Sequence, residues 1–215
     1  MRDAYHEQLD SVGHTLVEMA ELVGRALSRA TRALLEPDLP IAEAVISADD
    51  AVDALHRELD VLTLDLMARQ QPVAGDLRTL VTSLRMSADL ERMGDLARHI
   101  AKVARMRYPE CAVPEELRGI FARMGEIGVE LAEKVARIVE DQDVEAARTL
   151  EDQDDAVDRL HREVFTALLS QDNPYTIETA IDVTLLSRYY ERFADHAVSV
   201  AHRLVFLVTG EDERH

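Results

Sequence analysis

An all-α chain made of two copies of one three-helix unit is the fold this sequence predicts, on three observations. Glu91-Arg92-Met93-Gly94-Asp95 returns as Glu191-Arg192-Phe193-Ala194-Asp195, an offset of 100 residues. Asp49-Asp50-Ala51-Val52-Asp53-Ala54-Leu55-His56-Arg57-Glu58 returns as Asp154-Asp155-Ala156-Val157-Asp158-Arg159-Leu160-His161-Arg162-Glu163, an offset of 105. Matching blocks in one order mark an internal repeat, and units of this length are too long for a solenoid, so each reads as a small bundle. Aromatics make up only 4% of the 215 residues and Trp is absent, so aliphatic seams between long helices must fill the core. No stretch alternates apolar and polar residues as a half-buried strand would.

The first helix begins near Tyr5 and ends at Pro37 and Pro40, because proline lacks an amide donor and restricts its predecessor. A second runs from Ile41 to Arg69 and stops at Gln71-Pro72. Its apolar positions Val45, Val52, Leu55, Leu59, Leu62 and Leu66 step by 7, 3, 4, 3 and 4, which is a bundle seam. The third spans Val73 to Arg107 and completes a first unit over 1–107. Tyr108 to Pro114, with prolines at 109 and 114, reads as a linker. The second unit, 115–215, repeats the plan with helices at Glu115–Glu140, Val144–Leu169 and Pro174–Val208, six long helices in all. Asn173 is the expected N-cap of the last, with Pro174 at its first position. The residues missing from the second copy fall at Ser170 to Pro174, opposite Met67 to Pro72, where turns tolerate length changes. Helices of about 30 residues are ~45 Å long, and two such bundles in tandem predict an elongated molecule.

The duplicated acids carry the functional signal. At 100° per residue from Glu91, Leu77, Leu80, Leu84 and Ala88 fall within about 60° and Asp95 within about 40°. Glu91 and Asp95 are therefore expected on a packing seam, where carboxylates must be paired, protonated or metal-bound. Asp89 lies about 160° away and falls outside this group. In the second copy Ile177, Ile181 and Thr184 lie near Glu191, a less regular setting for Glu191 and Asp195. The second helix offers Asp49, Asp53, His56 and Asp60 on one stripe, and the fifth offers Asp154, Asp158 and His161, with Phe165 in place of the last acid. Such oxygen donors suit Mg²⁺, Ca²⁺ and Mn²⁺, iron when carboxylates bridge two ions, and zinc with histidine help. The competing reading places Glu91 and Asp95 in ion pairs with Arg92, Arg98 or Arg57. His56 and His161 are either outer ligands or ordinary half-exposed histidines.

Other classes are poorly served. A net charge of −18 opposes nucleic-acid phosphates and anionic headgroups, and favours cations or basic protein surfaces. The single cysteine, Cys111, rules out an internal disulfide and thiolate-bound metal at the acid sites, and suits a reducing compartment. No signal pattern opens the chain, and Ala197 to Val208 is too short to span a bilayer, so the expected location is the cytoplasm. The Glu-x-x-His pairs of di-iron bundles are absent from the third and sixth helices, as are the usual nucleophile and phosphate-binding motifs. No enzyme activity is expected.

Ser87-Ala88-Asp89-Leu90-Glu91-Arg92-Met93-Gly94-Asp95-Leu96-Ala97, with its divergent copy at Tyr189 to Ala197, resembles the motif of the PhoU family of phosphate-signalling proteins. The resemblance covers essentially the whole chain, although His99 and Ser199 stand where family members often carry asparagine. It implies negative regulation of phosphate uptake and of the phosphate-starvation response, through the phosphate ABC transporter ATPase and the phosphate-sensing histidine kinase. It also implies a homodimer and multinuclear iron or zinc at Glu91, Asp95, Glu191 and Asp195, with Asp49, Asp53, Asp154 and Asp158 contributing. A metal-free scaffold for basic partner surfaces and a carboxylate-bridged metalloenzyme are the alternatives.

Overall fold

Asp38 shows how the chain turns between helices: its carboxylate accepts from the Ile41 amide at 3.0 Å, and Pro40 sits in the first turn beyond it. The structure, a computed structural model, describes residues 2–170 and 174–211, with the side chains of 2–4, 6 and 151–153 left out. Among these residues there are seven helices and no strand: α1 Arg2–Leu35, α2 Leu39–Gln70, α3 Ala74–Arg107, α4 Glu115–Asp141, α5 Val144–Arg148, α6 Glu151–Leu168 and α7 Ile177–Thr209. α2 and α4 end in left-handed Gln71 and Gln142, and α7 ends at Gly210, with φ of 81°. No described helix is long and apolar enough to cross a membrane.

Two expectations are corrected. The single helix expected over 144–169 is broken into α5 and α6. Thr149 turns its hydroxyl back onto the Ala146 carbonyl at 2.8 Å, and fully buried Leu150 pulls the chain into the core. The last helix starts at Ile177 rather than Pro174, because the Thr176 hydroxyl accepts from the Thr179 amide at 3.1 Å and provides the cap. Asn173, the expected cap, lies outside the described residues.

The two sets of helices lie alongside each other. α1 packs on α3 and α4, α3 packs on α7, α2 packs on α1 and α3, and α5 and α6 pack on α4 and α7. One cluster of buried side chains runs through both sets, including Leu16, Leu27, Met93, Phe121, Leu131, Tyr190 and Phe193. The segment 108–114 therefore joins the sets without dividing the core. Along the antiparallel α1–α4 seam, Gly24 faces Ala132, Leu27 faces Gly128 and Thr31 faces Gly125. Adding a Cβ to Gly125 would bring it within 2.6 Å of the Thr31 methyl.

Polar side chains also cross between the sets. Thr31 and Tyr190 share a buried hydrogen bond of 2.8 Å. Asp89 of α3 accepts from Nδ1 of His196 at 3.1 Å and from Nε of Arg203 at 2.6 Å, both on α7. At the pseudo-equivalent place, Tyr189 of α7 lies against His99 of α3 with ring centroids 5.3 Å apart. Arg107 of α3 reaches Asp182 at 2.5 Å and also pairs with Glu178.

Candidate metal centres

Four carboxylates of the first set meet where α2 packs on α3. Asp49 is buried under Gly94, where an added Cβ would stand 3.2 Å from its Oδ1, so the missing side chain lets the two helices approach. Burial lifts the Asp49 carboxyl to about 6 against the pull of Arg98, and Asp53, Asp95 and Glu91 push the same way. Glu91 is likewise raised, first by burial and then by Asp95, with Arg92 opposing. The acids predicted from the sequence thus share one electrostatic neighbourhood.

Arginine already occupies it. Arg98 Nη1 stands 2.8 Å from Asp49 Oδ2, and its Nη2 donates to Asp95 Oδ1, so one guanidinium bridges α2 and α3. Arg92 Nη1 donates to Asp95 Oδ2 at 2.8 Å and its Nε lies 3.5 Å from Glu91. The pairs expected with Arg92 and Arg98 are formed, whereas Arg57 turns to the backbone carbonyl of Asp53. Arg25 and Arg29 of α1 line a cavity of about 90 Å³ that opens on Asp49.

The second set differs. Burial, then Asp195, Asp158, Glu191 and Asp155, lift the Asp154 carboxyl to about 7, and no cation stands among these leading influences. Val198 occupies the place of Arg98 and is buried. Arg188 donates to Glu191 Oε1, but Glu191 Oε2 and Asp154 Oδ1 are buried without a hydrogen-bond partner. Among the described residues, Asp154, Asp158 and Asp195 form no ion pair.

The relative burial of the two motifs corrects the helix-wheel expectation. Ala88 and Leu77, assigned to the seam with Glu91, are exposed, and the Glu91 side chain sits at its edge, 21% exposed. Ile177 and Ile181 are exposed too, yet Glu191 is 9% exposed, because α6 and α4 both pack on α7.

Two serines belong to the sites and were not singled out from the sequence. Ser87 Oγ donates to the Leu84 carbonyl at 3.0 Å, so it accepts from His56 Nδ1 at 3.1 Å. Ser187 does the same with Thr184 at 3.0 Å and His161 at 3.0 Å. In a neutral ring this arrangement places the proton on Nδ1 and leaves Nε2 as the acceptor, the form in which imidazole binds metals, and Nε2 of His56 lies 3.8 Å from Asp60. Burial and Arg188 lower the pKa of His161, holding it neutral. Their repetition at the motif's own offset of 100 was the signal available. Phe165, in place of Asp60, stacks edge-on against His161 at 4.8 Å.

Hard oxygen donors and a neutral nitrogen suit Mg²⁺, Mn²⁺, iron or zinc. As the side chains stand, no three His, Cys, Asp or Glu among the described residues converge on a metal position. A cation must draw the carboxylates inward. The unpartnered oxygens of Glu191 and Asp154 fit that demand; in the first cluster Asp49 Oδ2 also lacks a hydrogen bond, but the Arg98 guanidinium offsets its charge from 2.8 Å.

The PhoU domain matches residues 16–104 and 121–204. The phosphate-specific transport system accessory protein PhoU homolog 2 of Mycobacterium tuberculosis is 49% identical over 98% of this chain and 99% of its own length. Homolog 1 of Mycobacterium leprae is 46% identical over 98% and 95%. The crystal structure of PhoU from Pseudomonas aeruginosa superposes with a TM-score of 0.87 at 26% identity, covering 96% of this chain and all of that one.

Proposed function

This chain belongs to the PhoU domain family, and from that membership we propose that it is a cytoplasmic accessory regulator of phosphate transport. It acts by binding rather than by turnover. When phosphate is plentiful, it restrains uptake through the phosphate ABC transporter ATPase and holds the phosphate-sensing histidine kinase in its repressing state. The family match in both halves, over nearly the full length of relatives named for phosphate-specific transport, is the observation that carries this reading.

Iron or zinc, or Mg²⁺, Mn²⁺ or Ca²⁺, would be held by Asp49, Asp53, Glu91 and Asp95 in one cluster and by Asp154, Asp158, Glu191 and Asp195 in the other. Bound there, a cation supplies positive charge and crosslinks neighbouring helices. His56 and His161 stand ready as nitrogen donors, oriented by Ser87 and Ser187. A homodimer is the proposed assembly. The arginine pairs of the first cluster favour the metal-free scaffold reading for that half alone.

Deletion of the gene tests the regulatory role. Phosphate uptake and a phosphate-starvation reporter should both rise in phosphate-rich medium, and co-purification from such cells should recover the ATPase and the kinase. Unchanged uptake and reporter activity would defeat the reading.

A further inference from the structure

We infer that the two acidic clusters have divided their roles: the second takes the metal ion, whereas in the first Arg98 serves as a built-in cation. This rests on the metal-binding part of the function proposed above and narrows it to the second cluster.

The two places are equivalent by the repeat, so their differences are informative. Asp49, Asp53, Glu91 and Asp95 correspond to Asp154, Asp158, Glu191 and Asp195, and Arg98 corresponds to Val198. In the first cluster the Arg98 guanidinium lies between Asp49 and Asp95, which a bridging metal would also have to engage. Arginine stays charged at any physiological pH, so a divalent ion entering there must displace it or bear its repulsion. Arg92 holds the outer oxygen of Asp95 as well.

The second cluster has the same carboxylates and lacks that cation. Val198 adds no charge, and Arg188 reaches only Glu191 from a half-exposed position, 46% exposed. Glu191 is 9% exposed, its Oε2 is buried without a hydrogen-bond partner, and Asp195 and Asp158 stand close enough to push its carboxyl up. Glu191 has Arg188 as its one partner, whereas the partly buried Asp154, Asp158 and Asp195 have no ion pair among the described residues. Carboxylates drawn partly out of water without counter-charge are costly, and that cost is relieved when a cation enters. Site affinity follows ligand charge and its compensation, so a difference of on the order of 100-fold between the clusters is expected.

Metal content decides the matter. Untagged protein is loaded separately with Fe²⁺, Zn²⁺ and Mn²⁺, desalted and analysed for bound metal, with circular dichroism confirming the helical fold. Wild type should retain metal, E191Q/D195N should lose it, and E91Q/D95N should keep it. R98V should gain a second load, and V198R should lose the first. Loss of half or more of the metal in E91Q/D95N would overturn the division while leaving metal binding intact. No retention of any of the three metals by wild type would defeat the metal reading and this inference with it. Should R98V fail to fold, the two carboxamide variants still decide.

Discussion

Arg203 of α7 donates to Asp89 of α3 at 2.6 Å, a charged hydrogen bond that spans the two halves of the duplicated chain. His196 adds a second donor at 3.1 Å, and Asp89 is 8% exposed. Replacing Asp89 with leucine leaves both donors without their acceptor. Hydrogen bonds to charged groups contribute about 1.5–3 kcal/mol, so a loss of about 2 kcal/mol is expected. Urea unfolding measures it, and a loss below about 0.5 kcal/mol would show that the pairing contributes little.

The Thr31–Tyr190 hydrogen bond joins α1 to α7 in the core. Tyr190→Phe should cost about 1 kcal/mol, and Thr31→Val should add little on top of it, because the bond is already lost. Burial pushes the Tyr190 phenol far above its ordinary value of 10, against the weaker pull of Thr31. The folded chain thus keeps a proton that the unfolded chain releases. Stability from this group is full below pH 10 and falls as pH rises beyond it. Melting between pH 9 and 11 should therefore fall more steeply for wild type than for Tyr190→Phe.

Two glycines of α4 should respond differently to the same change. A Cβ at Gly125 would press on β-branched Thr31 at 2.6 Å, whereas at Gly128 it would meet a terminal methyl of Leu27, which is unbranched at Cβ and can rotate aside. Overpacking costs typically ~1–3 kcal/mol, and alanine returns ~1 kcal/mol of helix propensity. Gly125→Ala should destabilise and Gly128→Ala should lie near neutral. Equal chemical-denaturation midpoints would contradict this ranking.

Acid pH should stabilise the metal-free protein at Asp154. Its folded pKa of about 7 exceeds the ordinary 3.8, so the folded chain binds a proton that the unfolded chain has lost. This contribution is full below about pH 4, declines as pH rises through 7, and is absent above it. Asp154→Asn should raise the melting temperature at pH 8 and change it little at pH 4. If metal binds there it must expel that proton, so its apparent affinity should fall as pH drops from 7.5 to 5.5. Titration calorimetry in buffers of different ionisation enthalpy would register the released proton.

Much of this was legible in the sequence. The repeat marked the two sets of helices, and the shared stripe of Asp49 and Asp53 correctly faced Glu91 and Asp95. What escaped was which side of each helix a distant neighbour would cover. α3 is held by α1 and α2 on one flank and by α7 on another, so its burial is not a single stripe. Asp89, turned away from Glu91, is buried for that reason, while Ala88 beside the motif is exposed. The break at Thr149 was hidden because one hydroxyl redirecting the backbone leaves the apolar period almost unchanged.

The continuous core joins the two halves of the repeat as a pair held on one chain. In a pair of identical separate subunits, symmetry would force the same residue into both equivalent places. Tethering removes that obligation. Asp89 can meet His196 and Arg203 where its counterpart Tyr189 meets His99, and valine at 198 can be the counterpart of arginine at 98. Each half is thereby free to change one side of a shared interface while the other side holds the pair together.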